Sequence, residues 1–181
     1  MKRVALTFIG KDRPGIIARI TGSLYDHRGN IEDTTMTILE GQFAMILIAT
    51  IPVTAESGLK KAFDGLHRQW GLTHFWRVLG GGVVRGEKHP LGARTYLLSV
   101  AGRDRTGIVY QTSCVLAKAG LNITDLNSKI LGQGKRAIFA MLLEVDIPKN
   151  FNLGRLEASL KQLKRRMVLD VTLKPVERLS L

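Results

Sequence analysis

Gly10-Lys11-Asp12-Arg13-Pro14-Gly15-Ile16 recurs as Gly102-Arg103-Asp104-Arg105-Thr106-Gly107-Ile108, at an offset of 92 residues. The same offset carries the segment 30–33 (Asn-Ile-x-Asp) onto the segment 122–125. A shared offset over this many positions indicates one structural unit that is used twice. The sequence therefore predicts two related units in place of one long domain.

The boundaries of the two units follow from the repeat. We expect a first domain over residues 1–80, a linker over residues 81–93 and a second domain over residues 94–181. The glycines at 80–82 lack the Gly-Lys-Ser/Thr ending of a phosphate-binding loop, and no helical pattern follows them. This segment is interpreted as a linker, not as a nucleotide site.

Hydrophobic periodicity predicts the same order of elements in each unit, strand-helix-strand-strand-helix-strand. In the first unit the predicted strands are 3–9, 31–39, 43–51 and 73–79, and the helices are lined by Ile16, Ile17, Ile20 and Leu24 and by Leu59, Phe63, Leu66 and Trp70. In the second the predicted strands are 95–101, 123–131, 136–147 and 168–175, and the helices are lined by Ile108, Val109, Thr112 and Leu116 and by Leu156, Leu160, Leu163 and Met167.

This order is the split βαβ, or ferredoxin-like, unit of the α+β class. Right-handed crossovers place both helices of a unit on one face of a four-stranded antiparallel sheet. The third strand of each unit is apolar on both faces, although a face open to water is normally polar. We therefore expect partial cover over the helix-free faces, which carry Ala44, Ile46 and Ile48 in one unit and Ile138, Ala140 and Leu142 in the other.

Composition limits the classes of protein that the chain can represent. The sequence is 45% hydrophobic and 23% charged, which is ordinary for a globular protein. No apolar run approaches the roughly 20 residues of a membrane span, and the first residues show no signal-peptide pattern. The single cysteine, Cys114, excludes an internal disulfide. We expect a cytoplasmic protein with no membrane contact.

Catalytic and metal-binding patterns are not found in the sequence. The four histidines, at 27, 67, 74 and 89, do not pair with one another or with Cys114 at a metal-ligand spacing. Cys114 lies in an apolar helical pattern and is interpreted as a small core residue. The sequence therefore predicts no catalytic residues, no metal, no cofactor and no enzyme activity.

The repeated loop is the main candidate for function. It joins a strand to the N-terminus of a helix, where backbone N–H groups can bind an anion. Asp12 and Asp104 can cap that helix or bind a cationic group. Asn30 and Asn122 begin the next strand. A purely structural interpretation, with capping aspartates and turn glycines, stays open beside the functional one.

These residues resemble the ACT domain, a βαββαβ unit with Asp/Asn-Arg-Pro-Gly-Ile/Val after its first strand and Asn-Ile fifteen residues beyond that glycine. The spacing is fifteen from Gly15 to Asn30 and again from Gly107 to Asn122. Two such units in tandem are most similar to the glycine cleavage system transcriptional repressor family. The chain departs from amino-acid-binding members, which often carry Asn, at Asp12 and Asp104.

The resemblance implies a regulatory protein that binds a small amino acid, with glycine and serine as candidates, at an interface between two ACT domains. It implies a homo-oligomer and a partner regulatory protein in transcription. The candidate ligand-binding residues are those of the two loops and the two asparagines: Gly10, Lys11, Asp12, Arg13, Gly15, Ile16, Asn30, Gly102, Asp104, Arg105, Gly107, Ile108 and Asn122.

A net charge of +12 supports an alternative function. A strongly basic protein can bind nucleic acid directly through clustered Lys and Arg side chains. The candidates here are Lys161, Lys164, Arg165 and Arg166 on the last predicted helix. No helix-turn-helix pattern accompanies them, which argues against direct reading of an operator sequence. Direct contact with nucleic acid through the basic side chains stays open as the second hypothesis.

Overall fold

The computed structural model of the chain describes residues 1–80 and 92–176. The chain divides into two compact units, Met1–Val84 and Arg85–Leu181. The predicted linker, residues 81–93, lies mostly outside the described residues. Its last residue, Ala93, already belongs to the first strand of the second unit.

The first unit has the predicted order of elements, with a single turn of 3-10 helix (Val53–Ala55) before its second helix. Its elements are β1 (Lys2–Lys11), α1 (Ile16–Asp26), β2 (Asn30–Leu39), β3 (Gln42–Ile51), α2 (Glu56–Trp70) and β4 (Thr73–Val78). The antiparallel sheet has the order β2-β3-β1-β4, so β2 and β4 are its edge strands.

The second unit repeats this topology. Its elements are β5 (Ala93–Arg103), α3 (Ile108–Lys118), β6 (Asn122–Leu131), β7 (Ile138–Pro148), α4 (Leu153–Met167) and β8 (Leu169–Pro175). The antiparallel sheet has the order β6-β7-β5-β8. The equivalent edge strands β2 and β6 carry a register shift at the same place. The shift lies between Ile31 and Asp33 in β2 and between Ile123 and Asp125 in β6. The predicted βαββαβ fold of the α+β class is confirmed in both units.

Each core lies between the sheet and its two helices, because one face of every amphipathic element is apolar. In the first unit α1 buries Ile16, Ile20 and Leu24, and α2 buries Leu59, Phe63 and Leu66. Both stripes belong to the same core as Val4, Leu6 and Phe8 of β1. In the second, α3 and α4 bury Ile108, Thr112 and Leu116 and Leu156, Leu160 and Leu163.

Three details of the sequence-based prediction are wrong. Ile17 and Val109 were expected to line the core but are 46% and 39% exposed, because each follows the true core residue by one position and so points about 100° away around the helix. Arg136 was assigned to a strand but belongs to a 3-10 turn, Gly134–Arg136, that precedes β7. Val168 was also assigned to a strand; it ends α4 in a left-handed conformation at φ 44°.

The helix-free faces of both sheets are apolar along their third strands. Ile46 is 50% exposed, and Ile138 and Leu142 are 48% and 47% exposed. Phe75 of β4 adds a further exposed ring at 60%, in the same cross-strand row as Ile46. The cover that the sequence predicts for these faces stays a prediction. Over residues 1–80 and 92–176, no helix has both the length and the apolar character needed to cross a membrane.

Candidate functional site

A backbone hydrogen bond holds the repeated loop in the same place in both units. The amide of Asp12 donates to the carbonyl of Gly41 at 2.8 Å, and the amide of Asp104 donates to the carbonyl of Ala137 at 3.0 Å. Each bond ties the loop to the chain that leads into the third strand. The loop is therefore a preformed feature of the fold.

The glycine that ends each loop is the N-cap of the following helix. Gly15 and Gly107 have φ values of 91° and 96°, which L side chains rarely adopt. Neither helix has a side-chain cap hydrogen bond, so of the two alternatives for Asp12 and Asp104 the structure does not show helix capping. Glycine offers no side-chain acceptor at the cap, so the first-turn amides keep the capacity to bind an anion.

The glycine that begins each repeated segment has a packing role. A Cβ at Gly10 would lie 2.8 Å from Leu72 Cδ2 and 3.2 Å from the carbonyl oxygen of Gly71. A Cβ at Gly102 would lie 2.6 Å from Leu169 Cδ2. Both glycines let the start of the last strand approach the first strand closely. Packing alone therefore explains why glycine recurs at this position, and no ligand contact is needed to explain it.

In the first unit the loop borders an open groove of about 400 Å³. The groove is lined by residues 12–18 on one side and by Met36, Ile38 and Phe43 on the other. Met36 and Ile38 lie on the edge strand β2 and are 41% and 51% exposed. The groove thus combines a helix N-terminus, the carboxylate of Asp12 and an apolar wall.

A tryptophan fixes the loop from the side of α2. The guanidinium groups of Arg13 and Arg19 lie over Trp70, with Cζ 4.1 Å and 4.7 Å from a ring centroid. The sequence pattern placed Trp70 on the buried face of α2, whereas it is only partly buried at the last turn. Sequence analysis thus missed Trp70, Met36 and Ile38 as parts of this region, because their contacts are made between elements that are distant in the chain.

The two predicted asparagines lie at the wrong end of their own unit to meet the loop. Asn30 pairs with Thr50 at one end of the sheet, while Lys11 pairs with Gln42 at the other. The nine residue steps along β2 from Asn30 to Leu39 correspond to about 30 Å. Asn122 stands in the same relation to Arg103, since it pairs with Asp146 while Arg103 pairs with Ile138. One unit by itself therefore cannot bring loop and asparagine together.

The remaining predicted residues separate into two groups. Ile16 and Ile108 are each 2% exposed and belong to the cores. Lys11, Arg105 and Asp104 are exposed.

The second unit has Ser128 at the repeat position of Met36, which lines the groove of the first unit. This strand position is therefore more polar in the second unit.

The histidines and the cysteine are dispersed. His27 Nδ1 lies 2.8 Å from the carbonyl oxygen of Ser23, and His74 Nε2 lies 3.8 Å from Asp64 Oδ1. Cys114 is partly buried on α3. A side-chain hydrogen bond between Tyr110 and Cys114 raises the pKa of Tyr110 above its usual value. In the described part of the chain no group of three His, Cys, Asp or Glu residues could hold a metal ion. His89 lies outside the described residues.

The family of the chain follows from a match over most of its length. The family model of the ACT domain matches residues 2–76 and again residues 94–174. The chain belongs to the ACT domain family. The resemblance predicted from the repeated loop is thereby confirmed, and both copies of the loop lie within the matched regions.

Several curated proteins are similar to one ACT domain of this chain. The UPF0237 protein MJ1558 of Methanocaldococcus jannaschii is 36% identical over 80 residues, which cover 41% of this chain and 89% of that protein. The UPF0237 protein MK1213 of Methanopyrus kandleri is 45% identical over 51 residues, which cover 28% of this chain and 57% of that protein. The chain thus spans little more than half the length of some of these relatives.

Two solved structures are similar to the tandem ACT chain as a whole. A protein of Galdieria sulphuraria described as unknown is 25% identical, with a TM-score of 0.78 over 97% of this chain and 99% of that one. A protein proposed to be a glycine cleavage system transcriptional repressor is 16% identical, with a TM-score of 0.71 over 98% of both chains. At 16% identity this second likeness concerns the fold alone.

Proposed function

We propose that the chain is a non-enzymatic regulatory protein whose ACT units bind a small amino acid, with glycine and serine as the first candidates. The observation that carries this proposal is the groove of about 400 Å³ between the Asp12–Ala18 segment and β2. Groove volumes of this size suit small ligands. The family match supports the proposal, because ACT domains commonly bind amino acids.

The groove offers complementary groups for the two charges of an amino acid. The first-turn amides of α1, which no side chain caps, suit the ligand's carboxylate. The Asp12 carboxylate at the same edge suits the ammonium group and would repel the carboxylate, which sets the ligand's direction. The apolar wall of Met36 and Ile38 tolerates only a small or apolar side chain.

A second copy of the chain would complete the site with an asparagine. β2 is an edge strand and can pair with another strand. If β2 pairs antiparallel with β2 of a second copy about a two-fold axis between Thr34 and Thr35, Asn30 of one chain lies opposite Leu39 of the other. The asparagine of the partner chain then lies at the end of the sheet that carries the loop. We therefore propose a homodimer, with the ligand between two ACT units.

The proposed cellular role is transcriptional regulation of the glycine cleavage type, in the cytoplasm and through a partner regulatory protein. It is supported by the fold shared with the protein proposed to be a glycine cleavage system transcriptional repressor. An ACT module signals by a change in affinity for its partner, which requires differential binding of the ligand to two states.

A thermal-shift panel of the common amino acids tests the ligand proposal. A ligand that binds only the folded state raises the apparent stability, by about 2.7 kcal/mol at a hundred times its Kd. We expect glycine or serine to raise the Tm and to increase the dimer fraction in sedimentation velocity. If none of the amino acids changes the Tm, the loops are structural and the proposal is wrong.

Direct nucleic-acid binding is the second candidate, because α4 presents an exposed basic face. Lys161 and Arg165 are exposed, while Lys164 pairs with Asp170 at 3.2 Å. Phosphate contacts would give a steep fall of affinity with salt concentration. A duplex-binding assay between low and physiological salt distinguishes this function from amino-acid sensing, which has no such dependence.

A further inference from the structure

The second ACT unit has a groove between its two helices that the sensing function does not use. Two adjoining cavities of about 270 and 350 Å³ share Val115, Lys118 and Ser159. Arg166 closes one end by donating from Nη2 to Gln111 Oε1 at 2.6 Å. The larger cavity lies at the other end, beside Lys118 and Arg155. The groove is thus formed by facing stripes of α3 and α4.

The groove is cationic and contains no compensating acid. Lys118, Arg155 and Arg166 line it, and among the described residues that border either cavity there is no Asp or Glu. The sole carboxylate of α4, Glu157, lines a different cavity of the helix, with Lys161. No ion pair within residues 1–80 and 92–176 involves the three cations. Unpaired cations in one concave region attract an anion.

Comparison with the first unit shows that the cations of this groove are specific to the second. The buried stripes of α2 and α4 align at an offset of 97, which places Gly58 at the position of Arg155 and Gln69 at that of Arg166. The offset of 92 places Asp26 at the position of Lys118. Because the first unit has the same fold without these cations, the fold does not require them.

A smaller side chain in the second unit contributes to this space. In the first unit the ring of His27 lies only 2.9 Å from the position of a Cβ at Gly58. The repeat partner of His27 is Ala119, which lines the larger cavity. The small side chain of Ala119 leaves open a space that an imidazole ring occupies in the first unit.

We propose that the larger cavity binds a small organic phosphate. Lys118 and Arg155 both line this cavity, and two positive charges suit the dianion of a phosphate monoester better than a carboxylate with one charge. The Asn152 side chain caps α4 by accepting from the Arg155 amide at 3.2 Å, and its NH₂ group is a further donor. Phe151 and Leu156 form an apolar wall for the organic part.

Calorimetric titration of the full chain with phenyl phosphate tests this proposal. We expect binding that Lys118→Gln or Arg155→Gln weakens about tenfold or more, since each removes a charged hydrogen bond. Lys161→Gln is the matched control, because it removes the same charge from the other side of α4. The double variant Ala119→His/Arg155→Gly, which transplants the first-unit arrangement, should abolish binding while circular dichroism shows an intact fold.

Benzoate and inorganic phosphate separate the two parts of the ligand. Benzoate keeps the ring with one charge and inorganic phosphate keeps the charge without a ring, so both should bind more weakly than phenyl phosphate. The proposal is overturned if phenyl phosphate does not bind, if benzoate binds as tightly, or if Lys161→Gln weakens binding as much as Lys118→Gln. The last result would instead indicate a diffuse basic surface of the kind that binds nucleic acid.

Discussion

The guanidinium carbon of Arg13 lies 4.1 Å from the centroid of a Trp70 ring, so the middle of the first repeated loop is stacked on the last residue of α2. The second unit has Met167 at the position of Trp70 and Arg105 at that of Arg13, and a cation–π pair cannot form there. The two copies of the loop share a backbone hydrogen bond to the chain before the third strand, but only the first copy is stacked on an aromatic ring.

We expect this stack to stabilise the first unit. A double-mutant cycle of Arg13→Ala and Trp70→Leu should give a coupling energy of about 0.5–1 kcal/mol, the value of an exposed cation–π pair. Both tryptophans of the chain, Trp70 and Trp76, lie in the first unit. Tryptophan fluorescence during denaturation therefore reports on that unit alone, and Trp76 keeps the signal in the Trp70 variants.

The second unit supplies the control for this cycle. Arg105→Ala and Met167→Leu, followed by circular dichroism, should show a coupling energy near zero. Equal coupling in the two units would mean that the measured energy comes from general changes in charge and size and not from the stack.

Two glycines of the first unit should respond to alanine in opposite directions. Gly10→Ala places a Cβ 2.8 Å from Leu72 Cδ2, so we expect the free energy of unfolding to fall by about 1–3 kcal/mol. Gly22→Ala lies in the middle of α1 with no atom within 4 Å of the new Cβ, and should raise it by about 0.5–1 kcal/mol. Denaturation followed by tryptophan fluorescence measures both, and a stabilising Gly10→Ala would contradict the packing role.

The ion pairs of Glu56 predict a pH dependence of stability. Hydrogen bonds from Lys2 at 2.6 Å and Lys60 at 2.8 Å lower the pKa of Glu56 from 4.5 to about 2. A carboxyl whose pKa is lower in the folded state stabilises the fold above the unfolded value and loses that effect on protonation. This contribution is therefore complete above about pH 5 and is lost between pH 4.5 and pH 2.

Replacing Glu56 should flatten this part of the pH profile. We expect Glu56→Gln to reduce the slope of the unfolding free energy against pH between 4.5 and 2, measured by denaturation of the first unit. Added salt should reduce the slope of the wild type, because these charges are near solvent. Glu157→Gln on α4 is the control and should leave the first unit unchanged; the same slope in Glu56→Gln would contradict the assignment.

The proposed amino-acid site predicts weaker binding when its polar groups are removed. Asp12→Ala and Asn30→Ala should each cost ~1–3 kcal/mol, or roughly 5- to 150-fold in affinity, by calorimetric titration with the amino acid selected by thermal shift. Neither should unfold the unit. Gly15→Val should disturb both binding and folding, because a β-branched side chain is strained at φ 91°. Asp64→Ala, which removes an exposed carboxylate of α2 outside the loop and β2, is the control.

Mixing the two polar variants tests whether the site is shared between chains. In a dimer of one Asp12→Ala chain and one Asn30→Ala chain, one site receives both defects and the other receives an intact loop and an intact asparagine. We therefore expect an equal mixture to recover about a quarter of the wild-type sites at wild-type affinity, because half of the dimers are mixed and each has one intact site. A mixture that behaves as the average of its parts would exclude the shared site.

The position of the candidate site could be predicted from the sequence, but the role of each of its residues could not. The loop at Gly10–Ile16 is where the sequence predicts it, at the start of α1 and against a groove. The roles of individual residues were less accessible: Gly10 packs against Leu72, and Ile16 is a core residue. A recurring residue shows that a position matters, and only its neighbours in space show whether a ligand or the fold requires it.

The sequence by itself determined the two βαββαβ units and the family, because hydrophobic periods and a constant repeat offset are local properties of the chain. Only the tertiary structure decided which side chains of distant elements come into contact. The antiparallel course of β2 separates Asn30 from the loop by about 30 Å. Ala119 leaves a space in the second unit at the position where the first unit has the ring of His27. Such features depend on side chains of elements that are distant in sequence, so no local pattern records them.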